Sequence, residues 1–232
     1  MDHKQFIAKL QTLTDQGQRG KYLTTLQLND KNKKLGVPMG KIFALAKANA
    51  DMPNEEIAAL VKSDIHEAKV GGVSIMDFQA RNKKTPEAQR KWLYDTYLKL
   101  HQYINSWDLV DRSGQHVIGG YLYDFKKPRD ILYKLAKSKD WCERRTAIVA
   151  TLFFIRQGDV DDTFKVAELL VGDNEDLVQK AVGGVLREAG KKDTRKLTDF
   201  LDKYASKMPR DMLTYATEKL SAEQKAHYKS SR

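Results

Sequence analysis

A tryptophan and an aspartate, Trp107 and Asp111, are the side chains of this sequence best suited to hold a charged ligand together. They lie four positions apart in a segment with helical spacing, so both project from one face of a predicted helix. The face of an indole ring attracts positive charge, and a carboxylate neutralises it. The pair therefore predicts a site for a cationic group.

Two basic segments further along the chain indicate that this group belongs to a polyanion. Residues 141–145 (WCERR) include two adjacent arginines, and residues 180–188 (KAVGGVLRE) form a second basic helical segment. The formal net charge of +10 favours nucleic acid as the partner, with a membrane surface second and simple solubility as the plain alternative. A cationic group held against a polyanion accounts for both features.

The same residues also have structural explanations. Trp107 can be a core indole, with Asp111 as a solvated or capping acid. Adjacent residues of a helix diverge by about 100°, so Arg144 and Arg145 cannot both face one ligand. One of the two arginines is therefore expected to form a structural salt bridge, and Arg145 is favoured as the functional one.

The sequence offers no pattern for a metal site, a disulfide or a nucleophile. Cys142 is the only cysteine, so no internal disulfide forms, which fits a reducing compartment. The histidines lack the spacing of a helical metal site. Residues 36–41 (GVPMGK) are shorter than a nucleotide-binding loop and lack its Ser or Thr. We therefore predict neither a metal nor a cofactor.

The N-terminal residues lack the apolar region of a signal peptide. The longest apolar stretch, near residues 147–155, is too short to span a bilayer. We therefore expect a cytoplasmic protein without a membrane partner. No spare heptad pattern or large apolar face is evident, so a monomer without an obligate protein partner is the default.

Helices are predicted almost throughout the chain. Apolar residues recur at helical spacing, as in residues 177–186, whereas alternating strand patterns are nearly absent. Residues 106–123 are expected to form one helix, continuous or broken, although residues 116–123 (HVIGGYLY) fit a strand or a bend equally well. Short links and a period of about 35–40 residues predict an all-α solenoid of antiparallel helix pairs. One continuous domain over residues 1–232 is expected.

Basic residues cluster at three joins between predicted helices. In a solenoid, corresponding joins align along one edge, so the clusters are candidates to follow a phosphate backbone. The alternative is that lysines simply enrich exposed turns. The clusters are Lys31, Lys33 and Lys34, then Lys126, Lys127 and Arg129, then Lys191, Lys192, Arg195 and Lys196.

The order and spacing of several short segments resemble a known family, the AlkD-like DNA alkylation repair glycosylases, which are built from HEAT-like helical repeats. The similarity extends over nearly the whole chain. The matching segments are 36–38 (GVP), 45–47 (LAK), 65–67 (IHE), 106–111 (SWDLVD), 128–130 (PRD), 143–148 (ERRTAI), 180–183 (KAVG) and 186–188 (LRE).

This resemblance implies a right-handed α-solenoid of antiparallel HEAT-like helix pairs with a concave basic groove. It implies hydrolysis of the N-glycosidic bond of cationic N3- or N7-alkylated purines in double-stranded DNA, as in a 3-methyladenine or 7-methylguanine glycosylase. It also implies a location at the nucleoid when the protein is bound to DNA. The chemistry is physically sensible, because a fixed carboxylate stabilises an oxocarbenium-like transition state more than the ground state.

The resemblance also assigns roles to matching residues. Trp107 is expected to pack on the damaged nucleotide. Asp111 is expected to stabilise positive charge on the deoxyribose and to position the attacking water. Arg145 is expected to bind phosphate, and Tyr22 to be the N-terminal aromatic residue of the same pocket.

Three further basic residues, Arg144, Lys180 and Arg187, are candidates for phosphate contacts, with a solvated face as an equal explanation for the latter two. Gly184 stands where the family usually has a second pocket tryptophan. The loss of that indole either widens the pocket for a bulkier lesion or weakens excision. The alternatives to a glycosylase are therefore a noncatalytic binder of damaged or branched DNA and, less favoured, a helical scaffold for acidic proteins.

Overall fold

The computed structural model describes residues 1–15 and 32–230, and this part of the chain is helical nearly throughout. Within it, the only strand-like feature is a single parallel bridge between Lys33 and Ile65. The prediction of an all-α fold is therefore confirmed for the described residues. No helix in these two ranges is long and apolar enough to cross a membrane.

The chain divides into two compact units, Met1–Tyr121 and Leu122–Arg232. Each unit is built from helices joined by short links. The expected single domain over residues 1–232, the right-handed twist and the concave basic groove stay predictions.

The first unit is organised around one buried helix, α4. Nearly every residue of α4 is buried, and α4 packs against α2, α3 and α6. The elements of this unit are α1 (His3–Thr12), α2 (Met39–Ala48), α3 (Asn54–Val61), α4 (His66–Arg81), α5 (Glu87–Lys99), a 3-10 turn (His101–Tyr103), α6 (Trp107–Gly114), a π-helical segment (Gln115–Gly120) and α7 (Tyr121–Asp124), whose first residue ends the unit.

The second unit has two long helices, α9 and α11, which pack against each other. Helix α8 and helix α10 also contact α9, whereas α12 and α13 contact α11. The elements of this unit are α8 (Asp130–Ala136), α9 (Trp141–Arg156), α10 (Asp161–Leu170), α11 (Asp176–Gly190), α12 (Thr194–Tyr204), a 3-10 turn (Ala205–Lys207), α13 (Arg210–Ala216) and α14 (Ala222–Ser230).

Residues 116–123 are helical, so the strand interpretation of this stretch is wrong. The expectation of a broken helix over residues 106–123 is confirmed, because α6 continues through the π-helical segment into α7. Val117, Ile118 and both glycines of the segment are buried. A helix buried on most of its sides lacks the apolar stripe that marks an amphipathic helix, and its pattern is then easily taken for a strand.

Several polar contacts in the second unit join residues about one helix pair apart along the chain. Arg144 binds Asp173, 29 residues later. Arg187 binds Glu218, 31 residues later, and Tyr204 binds Glu168, 36 residues earlier. Two of these three separations are shorter than the predicted period of about 35–40 residues, and the HEAT-like repeat stays a prediction.

The adjacent glycines of α11 have different surroundings. A Cβ atom added at Gly183 would overlap the backbone carbonyl oxygen of Met212 and would lie 2.8 Å from the Cβ of Tyr215. Gly183 therefore allows α11 and α13 to approach closely. A Cβ atom at Gly184 would have nothing within 4 Å.

We expect Gly183→Ala to lower the free energy of unfolding by about 1–3 kcal/mol, because the backbone of α13 must move. Gly184→Ala is the matched control, and it should be neutral or stabilising by up to about 1 kcal/mol, since alanine favours the helix. Urea unfolding of the full chain measures both values. Equal losses at the two positions would contradict the close approach of α11 and α13.

Candidate functional site

Trp107 and Asp111 both lie on α6, one turn apart, as the sequence predicts. Trp107 is the first residue of the helix and is partly buried, whereas Asp111 is exposed. Ser106 precedes the helix with extended backbone angles, φ −149° and ψ 156°. Helix α6 therefore presents an indole and a solvent-accessible carboxylate on one face.

Asp108, the residue after Trp107, ties the start of α6 to the start of α4. His66 Nε2 lies 2.8 Å from Asp108 Oδ2, and Ser106 Oγ donates a hydrogen bond of 2.6 Å to Asp108 Oδ1. Burial raises the pKa of the Asp108 carboxyl, but the interactions with His66 and Ser106 lower this pKa by a larger amount. The net pKa lies below the ordinary value, and the carboxylate form is the one bound.

Asp77, in the second half of α4, lies 3.5 Å from Arg81 of the same helix and binds one side chain of α6 and one of the π-helical segment. Asp77 Oδ2 lies 3.0 Å from Arg112 Nη1, and Asp77 Oδ1 lies 2.8 Å from His116 Nδ1. Arg112 Nε also donates to Ser74 Oγ over 2.9 Å. Burial lowers the pKa of the Arg112 guanidinium, and the Asp77 carboxylate opposes this shift.

The rings of Phe43 and Phe78 hold the Arg112 guanidinium. Its central carbon lies 4.6 Å and 4.8 Å from the two ring centroids, within range of cation–π attraction. Sequence reasoning missed this cluster. Its signal in the sequence is the spacing of Asp108, Arg112 and His116 at intervals of four residues, which places them on one face of a helix.

The first turn of α4 also organises the loops around α6. The buried Lys69 ammonium donates to the carbonyl oxygen of Tyr103 over 3.1 Å and to Asn105 Oδ1 over 3.3 Å. Burial lowers the pKa of Lys69 more than the attraction of Asp64 raises it. The loop that leads into α6 is therefore bound to α4 before the helix begins.

Glu67 holds the turn that the sequence analysis rejected as a nucleotide-binding loop. Its buried carboxylate accepts hydrogen bonds from the backbone N–H groups of Leu35, at 2.9 Å, and Gly36, at 2.7 Å. Gly36 has a φ angle of 81°, a conformation that favours glycine. The segments 36–38 and 65–67 of the resemblance therefore meet in one structural contact.

In the second unit, Arg144 forms the structural salt bridge expected of one of the two arginines. Its Nε and Nη2 atoms lie 2.6 Å and 3.0 Å from the two carboxylate oxygens of the buried Asp173. These hydrogen bonds raise the pKa of Arg144. Arg145 is only 7% exposed, and it donates to the carbonyl oxygen of Leu177 at the start of α11.

The remaining candidates of this unit lie on α11. Lys180 Nζ is 3.7 Å from Asp211 Oδ2, and both side chains are well exposed. Arg187 binds Glu218 and lies 3.1 Å from Glu188 Oε1. Gly184 lies one turn after Lys180 and faces open space. Tyr22 lies outside the described residues.

Members of the predicted basic clusters have carboxylate partners. Lys33 binds Asp64 over 2.9 Å at the surface, an interaction that a phosphate can replace because exposed ion pairs contribute at most about 1 kcal/mol. Arg129 is held more firmly, by Asp159, by Asp162 and by the ring of Phe154, 4.1 Å away. Lys31 lies outside the described residues.

The described ranges contain no group of three or more His, Cys, Asp or Glu residues that could hold a metal ion. Cys142, the single cysteine of the sequence, is buried on α9.

The comparisons with known proteins agree with one another. Residues 6–220 match the model of the family described as "DNA alkylation repair enzyme". Among solved structures, the chain is similar to a predicted DNA alkylation repair enzyme from Enterococcus faecalis, with a TM-score of 0.67 and 14% sequence identity, over 90% of this chain and 97% of that chain. At this identity the structural similarity shows the fold alone. No curated protein sequence matches the chain.

We expect the contribution of Asp108 to stability to disappear in acid. A carboxyl whose pKa is lowered by folding stabilises the protein above its unfolded pKa, about 3.9, and loses this effect as the pH falls through the lower folded value. The difference in unfolding free energy between wild type and Asp108→Asn should therefore stay constant from about pH 6 to pH 5 and shrink towards pH 3. Urea unfolding at each pH gives the difference, and a constant value down to pH 3 would refute this account.

The Arg144–Asp173 pair generates a second expectation. Arg144→Ala leaves the buried Asp173 carboxylate without its main partner and should lower the unfolding free energy by about 3 kcal/mol. Arg195→Ala, at an exposed position of the same unit, should change it by less than about 0.5 kcal/mol. Thermal and urea unfolding compare the two variants. A small effect of Arg144→Ala would mean that Arg144 is available for another role.

Proposed function

Because the chain belongs to the DNA alkylation repair enzyme family, we propose that it is a DNA glycosylase that removes cationic N3- or N7-alkylated purines from duplex DNA. The observation that carries this proposal is the pair on α6, where an exposed Asp111 carboxylate follows the Trp107 indole by one turn. A cationic base and a sugar that becomes cationic during the reaction both suit this pair.

The proposed reaction is hydrolysis of the bond between C1′ of the deoxyribose and the purine nitrogen. The bonding electron pair leaves with the purine, which becomes neutral and so needs little help from a general acid. Positive charge develops on the sugar, where the Asp111 carboxylate stabilises it. A water molecule positioned by Asp111 adds to C1′ and loses its proton, which leaves a free base and an abasic site.

Trp107 has a binding role in this proposal. Its indole face lies against the alkylated nucleotide and attracts the cationic ring, an interaction of about 0.5–2 kcal/mol. Its place on α6, one turn before the exposed Asp111, supports this role. A neutral purine would gain less from the same contact.

The basic residues are proposed to bind the DNA backbone. Lys180 is the best placed of them, because its pair with Asp211 is long and exposed and is readily exchanged for a phosphate. Arg145, Arg187 and Arg144 already hold partners within the protein, so their part in DNA binding relies on their other N–H donors. Tyr22 is proposed as a further contact to the lesion.

The second candidate function is noncatalytic binding of damaged or branched DNA, and Gly184 favours it. The family resemblance places a tryptophan of the lesion pocket at this position. Among the described residues, no atom lies within 4 Å of a Cβ built on Gly184, so the position opens onto space. The space suits either a bulkier lesion or a site that binds without excision.

Release of free base from duplex DNA that carries one N7-methylguanine is the experiment that tests the proposal. We expect release by the wild type and a loss of at least about 10²-fold in Asp111→Asn, because its amide no longer stabilises the charged sugar. Asp95→Asn is the matched control, since Asp95 is an exposed aspartate of the same unit, on α5. Duplex binding should be similar in all three proteins.

The other outcomes separate the remaining functions. Tight binding of damaged duplex or of a four-way junction without any base release would favour the noncatalytic role. Weak binding that salt abolishes and that shows no preference for damage or branching would favour a scaffold for acidic proteins. Equal release by wild type and Asp111→Asn would overturn the role of Asp111.

A further inference from the structure

Helix α6 and the π-helical segment after it carry one polar face, and each of its three members contacts a side chain of α4. Its members are Asp108, Arg112 and His116, which follow one another at intervals of four residues. Asp108 contacts His66, and the other two contact Asp77, as the distances of 2.8, 3.0 and 2.8 Å show. Helix α4 therefore contacts α6 and the π-helical segment at three positions, which together span more than two helical turns.

The partners on α4 are cut off from water. His66 and Asp77 are each 1% exposed, so neither finds a replacement partner in solvent if α6 turns about its axis. Asp77 would keep its longer, 3.5 Å contact with Arg81 but would lose its two closer partners, Arg112 and His116, and such a loss at a buried charge is strongly destabilising. The polar contacts therefore favour one rotation of α6 about its axis. The buried Leu109 and Val110 restrict this rotation less, because hydrophobic burial is not directional.

That rotation decides where Trp107 and Asp111 point. Each precedes a bound residue by one position, and neighbouring residues of a helix diverge by about 100°. When Asp108 and Arg112 face α4, the side chains of Trp107 and Asp111 must emerge beside the α4 contact and on the same side of the helix. Rotation of α6 would move both of them together.

One feature of His66 favours a functional explanation of this arrangement. Its Nδ1 atom is buried and has no hydrogen-bond partner among the described residues. An unsatisfied buried polar atom destabilises the fold, whereas an apolar side chain of similar size would avoid that loss. Stability alone therefore does not explain a histidine at this position.

We propose that His66 and Asp77 are positioning residues, which set the rotation of α6 and thereby direct Trp107 and Asp111 at the damaged nucleotide. This inference rests on the proposed glycosylase function for its activity readout. Neither residue touches the DNA in this proposal. Both act through the helix that carries the reacting carboxylate.

The test compares His66→Leu and His66→Gln with Ile57→Val. Leucine removes the hydrogen bond to Asp108, whereas glutamine restores a donor at a similar reach. Ile57→Val is the control for stability, because it removes one buried methylene from α3, a neighbour of α4, without touching the polar face. All proteins are assayed at a temperature at which circular dichroism shows them folded.

Two quantities separate positioning from binding, namely the single-turnover rate of base release and the Kd for damaged duplex. We expect His66→Leu to slow release by about 10²-fold, as expected for a misplaced catalytic group, with Kd changed less than threefold. His66→Gln should recover most of the rate, and Ile57→Val should release base at the wild-type rate. Asp77→Leu should behave like His66→Leu.

A third readout keeps the inference testable if the wild type releases no base. With Trp92 and Trp141 replaced by phenylalanine, the remaining fluorescence comes from Trp107. His66→Leu should change the acrylamide quenching of that fluorescence, and Ile57→Val should not. Unchanged quenching in His66→Leu, or a rate no lower than that of Ile57→Val, would overturn the positioning role, whereas absent release with altered quenching would overturn only the glycosylase function.

Discussion

The structure of the first unit depends on one constraint, which is that the polar side chains buried along α4 need partners from neighbouring segments. His66, Glu67, Lys69 and Asp77 are each no more than 3% exposed. Because a buried polar group without a partner is costly, each of them determines the place of the segment that satisfies it. Helix α6, the loop before it and the turn at residues 35–37 are held in this way. Helix α6, which carries the Trp107 indole and the exposed Asp111 carboxylate, is thus positioned from the protein interior.

Residues close in sequence have opposite tasks in this arrangement. On α6, Asp108 is bound inside the protein, while Asp111, less than one turn later, remains exposed. On α9, Arg144 binds the buried Asp173. On α11, Gly183 lets α13 approach, while Gly184 opens onto empty space. Two residues of the same type therefore differ in role: one packs inside the protein, and the other remains accessible to a ligand. The reason is that nearby positions of a helix face different directions.

Much of the architecture follows from local patterns. Apolar residues at helical spacing predict the helices, and the four-residue interval of Trp107 and Asp111 predicts their common face, because both depend only on the geometry of one helix. The stretch 116–123 shows where this reasoning stops. Val117 and Ile118 belong to a helix that is buried on most sides, so the contrast between apolar and polar faces is absent and a strand fits equally well.

The sequence by itself determined the helical class, the family and the pair of residues on α6 that suit a cationic ligand. Only the tertiary structure decided which arginine is bound, because the partner of Arg144 lies 29 residues away and its distance depends on how two helix pairs pack. It also decided which glycine is crowded, and it revealed that His66 and Asp77 bind α6. Contacts between helices involve residues that are far apart in the sequence, so no local pattern predicts them. The role of a charged side chain depends on which residue the packing of the helices places beside it.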